Sequence, residues 1–222
     1  MPNEEHLSQL KNALKKKKII LWNRWKEESQ ISVDLSNADL SGACFNEANL
    51  AGANLDRARL MGAKLLGAKL NGAFLCGAHL IRADLSGADL GGADLSGADL
   101  SGARLLGTSL GRAKLTRAKL IKAKLSEAKL NGVDLSGANL YGTDLIRADF
   151  RGALLSDAIL REANLYESDL YGADFRSVVT VLPSMFRLAR NWEKAFHFAE
   201  LLESLDLPPD HNERLRKELA QW

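Results

Sequence analysis

ADLSGADLGGADLSGADLSGARL, residues 83–105, sets a leucine at every fifth position and an alanine two residues before each. The phase holds in both directions: a large apolar residue recurs every fifth position from Leu35 to Phe175, 29 times without a slip, 26 of them Leu and three Phe. The small residue is Ala in 24 cases and otherwise Val33, Val133, Thr108, Thr143 or Ser168. A five-residue period advances about 140° on an α-helix, which would wind the leucines around the rod and leave no stripe to bury. Two inward sites spaced by two residues fit strand alternation instead. The Ser-Gly that often follows, with Gly at 16 of the 29 second turn sites, supplies corner chemistry. Each pentapeptide is a short strand and a corner, and stacked units bury layers of Leu and Ala inside a closed coil.

The same string resembles the pentapeptide-repeat family, and the resemblance covers residues 33–177. It implies an all-β solenoid, a right-handed four-sided β-helix with four pentapeptides per coil. The 145 repeat residues then give about seven coils, and a spacing of about 4.8 Å per coil makes a rod roughly 35 Å long. Residues 1–32 are expected to form an N-terminal capping helix and lead-in, and residues 178–222 a C-terminal helical cap. At the first end, Leu7, Leu10, Leu14, Leu21 and Trp25 lie on roughly one side of a single helix over residues 4–29, with Glu4 and Glu5 early and Lys15 to Lys18 later. At the second, Pro183 and Ser184 start a helix, Pro208 and Pro209 break it, and Asp210 with Glu213 resembles a capping box. The flanks HLSQL, LWNRWK and ARNWEKA resemble segments that border repeat arrays in cyanobacterial members of the family.

Composition narrows the function classes. Thirty basic residues against 28 acidic ones leave no global field of the kind nucleic-acid binders or polyanion mimics carry. Cys44 and Cys76 show no paired spacing, which points to a reducing, cytoplasmic setting rather than a disulfide-stapled secreted domain. The start lacks the basic and apolar signature of a signal peptide, and no apolar run approaches bilayer length.

No catalytic, cofactor or metal residues are expected. Asp84, Asp89, Asp94 and Asp99 look like a carboxylate cluster, but a spacing of five puts them on four different sides, facing water, with little reason for a pKa shift. His6, His79, His197 and His211 have no metal-ligand spacing. Serine recurs at a turn site, with no His and Asp to activate it. Neither a phosphate-cradling GxxxxGK[ST] loop nor a GxGxxG after a strand is present.

Two anomalies remain as candidate partner-binding surfaces. GRAKLTRAKLIKAKLSEAKL, residues 111–130, carries seven basic residues and one acid, Glu127. Wrapped at twenty residues per coil, Lys114 falls between Asp94 and Asp134 and Lys119 beside Asp99, so part of this belt reads as a charge ladder that disfavours slipped stacking. Arg112, Arg117 and Lys122 have only glycines above and below, and Lys124 stacks on Arg104, which points to an acidic partner surface. Near the C-terminal end, Leu154 and Ile159 stand where Asp or Asn is usual, which suggests either cover by the terminal helices or an interface with a partner or second copy. The expected function is therefore a non-catalytic interaction or scaffolding module. The alternatives are a DNA-mimic regulator of an enzyme such as gyrase, against which the even balance of 17 acidic and 17 basic residues over 33–177 counts, or membrane-surface association through the basic N-terminal helix. Direct nucleic-acid binding is not expected.

Overall fold

A computed structural model describes residues 2–15, 18–178, 183–197 and 199–220. Each central residue of a pentapeptide pairs in parallel with the residue twenty positions on, from Asp34 with Asn54 to Leu154 with Asp174. Four sides result. Side one runs through Asp34, Asn54 and Phe74, side two through Asp39, Arg59 and His79, side three through Cys44, Lys64 and Asp84, and side four through Asn49, Lys69 and Asp89. Within one repeat, Asp84 N–H donates back to Ala63 O at 2.9 Å, Leu85 N–H donates forward to Arg104 O at 2.7 Å, and Gly87 N–H reaches Leu106 O at 2.9 Å. Ala88 N–H closes the corner onto Leu85 O. The backbone polar groups are thus consumed between coils, as burial demands.

The inward Leu and Ala sites are almost wholly buried along the array, apart from a half-buried Ala43 in the first coil. Where the small site is polar, the hydroxyl finds a carbonyl: Thr108 Oγ1 donates to Leu85 O and Thr143 Oγ1 to Leu120 O, both at 2.8 Å, and Ser168 Oγ donates to Leu165 O at 2.7 Å. Each hydroxyl therefore enters the core without leaving an unpaired donor.

The N-terminal segment is not one helix but two, α1 (Glu4–Lys15) and α2 (Ile19–Ser29). The break resets the phase of the inward stripe. Leu7, Leu10 and Ala13 are buried on α1, but on α2 the buried residue is Trp22, while Leu21 turns outward. Asn3 Oδ1 caps α1 by accepting from Glu5 and His6 N–H. Helix side chains also meet the open edge of the first coil. Trp22 Nε1 donates to Asn49 O at 2.8 Å, Asn23 Oδ1 accepts from Asn49 N–H at 2.7 Å, and His6 Nδ1 accepts from Asp34 N–H at 2.9 Å. Lys16 and Lys17, half of the basic run, lie outside the described residues.

At the other end the repeat stops at Phe175, yet the pairing does not. Glu167 N–H donates to Leu188 O, Asp169 bridges Arg190, and β1 (Asp174–Phe175) pairs in parallel with β2 (Phe196–His197). Residues 186–197, which include a short 3-10 turn, therefore extend the rod without the five-residue period. Phe186, Ala189 and Ala195 are buried as the repeat's inward residues are. Around this extension lie α3 (Pro183–Arg187), α4 (Ala199–Ser204) and α5 (His211–Leu219). The capping box expected at α5 does not form: Asp210, at φ −89° and ψ 10°, lacks the extended backbone of a capping residue, and its side chain instead accepts from Arg214 Nε at 2.7 Å.

Candidate interaction surface

The corners determine what the surface can present. At every second corner residue from Asn37 to Gly172 φ lies between 54° and 68°, in the left-handed region that favours glycine. Twelve of these sites carry a side chain instead, among them Arg112, Arg117 and Lys122. Their aliphatic stems lie over the glycine one coil further on. The position a Cβ would take on Gly132 is 3.6 Å from Arg112 Cγ, while those on Gly137 and Gly142 are 3.3 Å from Arg117 Cγ and Lys122 Cγ. These glycines give the basic corners a seat for the stem and leave the charged head in water.

The first corner residue is fixed by the carboxylate before it. Asp94 Oδ1 accepts from Ser96 N–H at 3.0 Å and from Ser96 Oγ at 2.6 Å, and Asp84 and Asp99 repeat the arrangement with Ser86 and Ser101. This is the Asx turn that the D-L-S string encodes. The expectation that these carboxylates would be unshifted fails for Asp84 and Asp94. Burial works to raise both, but the Ser hydroxyl and N–H bonds prevail and hold them below the usual carboxylate range. Asp39 is lowered chiefly by the Ser41 hydroxyl. The four carboxylates from Asp84 to Asp99 do stand on four different sides. Burial, with Asp94 nearby, pushes the Cys76 thiol up to about 11, so it holds its proton and is a poor nucleophile.

All seven basic residues of 111–130 are exposed, and none joins an ion pair among the described residues. The ladder register holds, since Lys114 bridges Asp94 and Asp134, but the ammonium stays beyond ion-pair distance because the Asp carboxylates turn back onto their own corners. The belt encircles the rod. Arg112 and Arg117 border side one, Lys122 stands at the corner between sides two and three, and Lys124 lies on side three. Leu154 belongs to side one and Ile159 to side two, so no single flat partner can touch all six candidates. Leu154 remains 47% exposed and Ile159 is half-buried; α5 comes back onto the rod only as far as the Gly172 corner, where Leu219 Cδ1 lies 3.6 Å from the position a Cβ would take.

The fold brings together two groups that their sequence spacing does not announce. His197 and His211 stand with ring centroids 5.9 Å apart, His197 lies beside Phe175 and Phe186, and the two Nε2 atoms donate to Trp192 O and Ala195 O. The other group is a set of apolar first-corner residues, including Met61, Leu66 and Leu106. Wrapping the sequence at twenty residues puts Leu66 and Leu106 in one column and Met61 in the column on the other edge of side three.

A family model for pentapeptide repeats matches in eight copies, over residues 34–71, 58–97, 93–132, 118–157 and 143–179. The chain belongs to the pentapeptide-repeat family, whose repeats imply a right-handed β-helix. Among solved structures it is similar to HetL, a pentapeptide repeat protein involved in heterocyst differentiation regulation from the cyanobacterium Nostoc sp. strain PCC 7120, at 29% identity over 72% of this chain and 74% of that one, with a TM-score of 0.33. It is also similar to Rfr23 from the cyanobacterium Cyanothece 51142, at 27% identity over 54% of this chain and 93% of that one, with a TM-score of 0.47. Full-length QnrB1, a plasmid-mediated fluoroquinolone resistance protein, shares 18% identity over 76% of this chain and 97% of its own, with a TM-score of 0.39. None of the curated proteins searched matches the chain. No helix among the described residues is long and apolar enough to cross a membrane.

Proposed function

We propose that the chain is a non-catalytic protein-interaction module, with about seven coils closed by helical caps at both ends, that presents its sides to an acidic partner protein in the cytoplasm. The observation that carries this reading is the run of three basic corners at Arg112, Arg117 and Lys122. Each sits in the left-handed region, which costs a side-chain-bearing residue about 1 kcal/mol. None gains an ion pair among the described residues in return. Side chains occupy this region at twelve corners, but here three successive ones are basic with only glycines above and below, an arrangement that leaves the charges to solvent and suits an acidic partner surface.

The test is affinity purification at low salt with the native chain and with Arg112→Ser, Arg117→Ser and Lys122→Ser combined. Loss of an acidic partner from the variant supports the reading. Equal capture by both chains overturns it.

A further inference from the structure

Exposed apolar side chains are not spread evenly around the rod. Outside α2, the large apolar residues that stand exposed number seven among the described residues, at 43% to 58% exposure. Five of them border side three. Met61 is at its corner with side two; Leu66, Leu106 and Tyr166 are at its corner with side four, and Leu188 continues that column, since its carbonyl accepts from Glu167 N–H. Half-buried Ile81, Ile121, Tyr141 and Ile146 fill the same two rows. The corners of side one carry Asn71, Gly91 and Gly111 on one edge and Ser96, Thr116 and Ser136 on the other, so the repeat does not require apolar residues there.

Between the two rows runs a charged strip. Lys64 and Lys124 on side three, with Arg82 and Lys122 on its corner, form no ion pair among the described residues. Arg104 is occupied by Asp84 at 3.4 Å, and the carboxylates of Glu127 and Asp144 leave a cation excess in the middle of the side. Apolar rails around unpaired cations call for a partner that is both apolar and acidic.

Spacing selects the partner's conformation. Leu66, Leu106 and Ile146 occur every second coil, with Ser86 and Ser126 between them, hence at intervals of about 9.6 Å. Residues i and i+7 on one face of an α-helix are about 10.5 Å apart, whereas same-face residues of an extended strand repeat at about 6.8 Å. From Leu66 to Tyr166 the rail spans about 24 Å, the length of roughly 16 helical residues. The chain's own helices do not qualify among the described residues: α1 and α2 bury Leu7, Leu10 and Trp22 in the core at the N-terminal end, α3 and α4 are five and six residues long, and α5 is nine residues long with a basic last turn.

We infer that side three docks an acidic amphipathic helix of a partner protein, laid along the rod axis with its apolar stripe on the two rails and its carboxylates over Arg82, Lys122 and Lys124. This rests on the reading of the chain as an interaction module and names the surface and the partner's chemistry.

The test uses the full chain and a fluorescent synthetic helix of about 18 residues, with Leu at heptad spacing and Glu on the flanks, followed by anisotropy at low salt. Binding should weaken at least about tenfold when Leu106→Glu and Lys124→Glu are combined, and should not change when Phe74→Glu and Lys114→Glu are combined on side one. Circular dichroism checks that both variants fold. Three results would overturn the inference: no binding, equal binding by the side-three variant, or equal binding of a peptide with Lys in place of Glu. Self-association of the native chain that Leu106→Glu abolishes would assign the surface to a second copy instead. Natural partners that the side-three variant still captures, but that are lost on replacing Arg112 and Arg117, would sink this inference while leaving the general reading intact. Absence of any capture falls on that general reading.

Discussion

The carboxamide of Asn212 pairs with both backbone groups of His197, Oδ1 accepting from its N–H at 3.0 Å and Nδ2 donating to its carbonyl at 2.7 Å. Asn23 does the same work at the opposite end, with Oδ1 on Asn49 N–H and Nδ2 on Glu47 O at 2.9 Å. A side-chain amide has the donor and acceptor of a peptide unit, so each helix supplies one unit of strand to an edge that has no next coil.

Replacing either asparagine by Ala therefore leaves two backbone groups in search of partners. Asn212→Ala and Asn23→Ala should each destabilise the chain by about 1–3 kcal/mol, read from urea melts. Their combination should promote end-to-end association, read by sedimentation, and a double variant as stable and monodisperse as the native chain would refute this.

Burial pushes the His197 imidazole down to about 4 from an ordinary 6.5, and its Nδ1 has no hydrogen-bond partner. Between those two pH values the unfolded chain binds a proton that the folded chain refuses. Stability should therefore fall as pH drops from 6.5 toward 4, by about 3 kcal/mol over the window. The same titration of His197→Phe should be flatter there; an identical slope would exclude His197 as the cause.

The basic corners can be separated from fold stability. Arg112→Gly, Arg117→Gly and Lys122→Gly relieve left-handed backbone but lose the stem packing on Gly132, Gly137 and Gly142. The net change expected is a gain of about 0.5 kcal/mol per site, seen as a higher melting temperature, with weaker partner capture. A triple variant less stable than the native chain would mean that these corners serve the fold.

Leu125 is buried inside the belt, whereas Asp99 caps Ser101 from the surface. Leu125→Asp should abolish cooperative folding through an unpaired charge in the core. Asp99→Asn keeps an Oδ1 acceptor and should change stability by less than about 0.5 kcal/mol, while Asp99→Ala should cost about 1 kcal/mol; thermal melts rank the three.

The repeat was legible because its inward sites answer to one requirement, a Leu and a small residue per side, and the register followed from the family resemblance. The ends were less legible because they are held by single side chains rather than by a period. Nothing in the pattern marks Trp22 rather than Leu21 as the inward residue after the helix break, or assigns Asn23 and Asn212 to the edges. The continuation through Arg190 and Phe196 was hidden because its offsets are 21 and 22 residues rather than 20. Of the candidate surface, Arg112, Arg117, Lys122 and Lys124 stood out as charge, but the apolar rails beside Lys124 did not. Their Leu, Ile and Tyr share each column with serines, so side-chain exposure rather than hydropathy marks them out.

That wrapping also shapes how such a surface can evolve. Adding or removing one pentapeptide leaves every inward Leu and Ala in phase, so the core tolerates it, yet everything downstream moves round by a quarter turn. Arg104 and Lys124 would trade sides with their neighbours, and the rails would break at the point of change. A lineage could therefore redraw its recognition surface in one step of five residues, by rotation rather than by substitution, with the hydrophobic interior unaware of the difference.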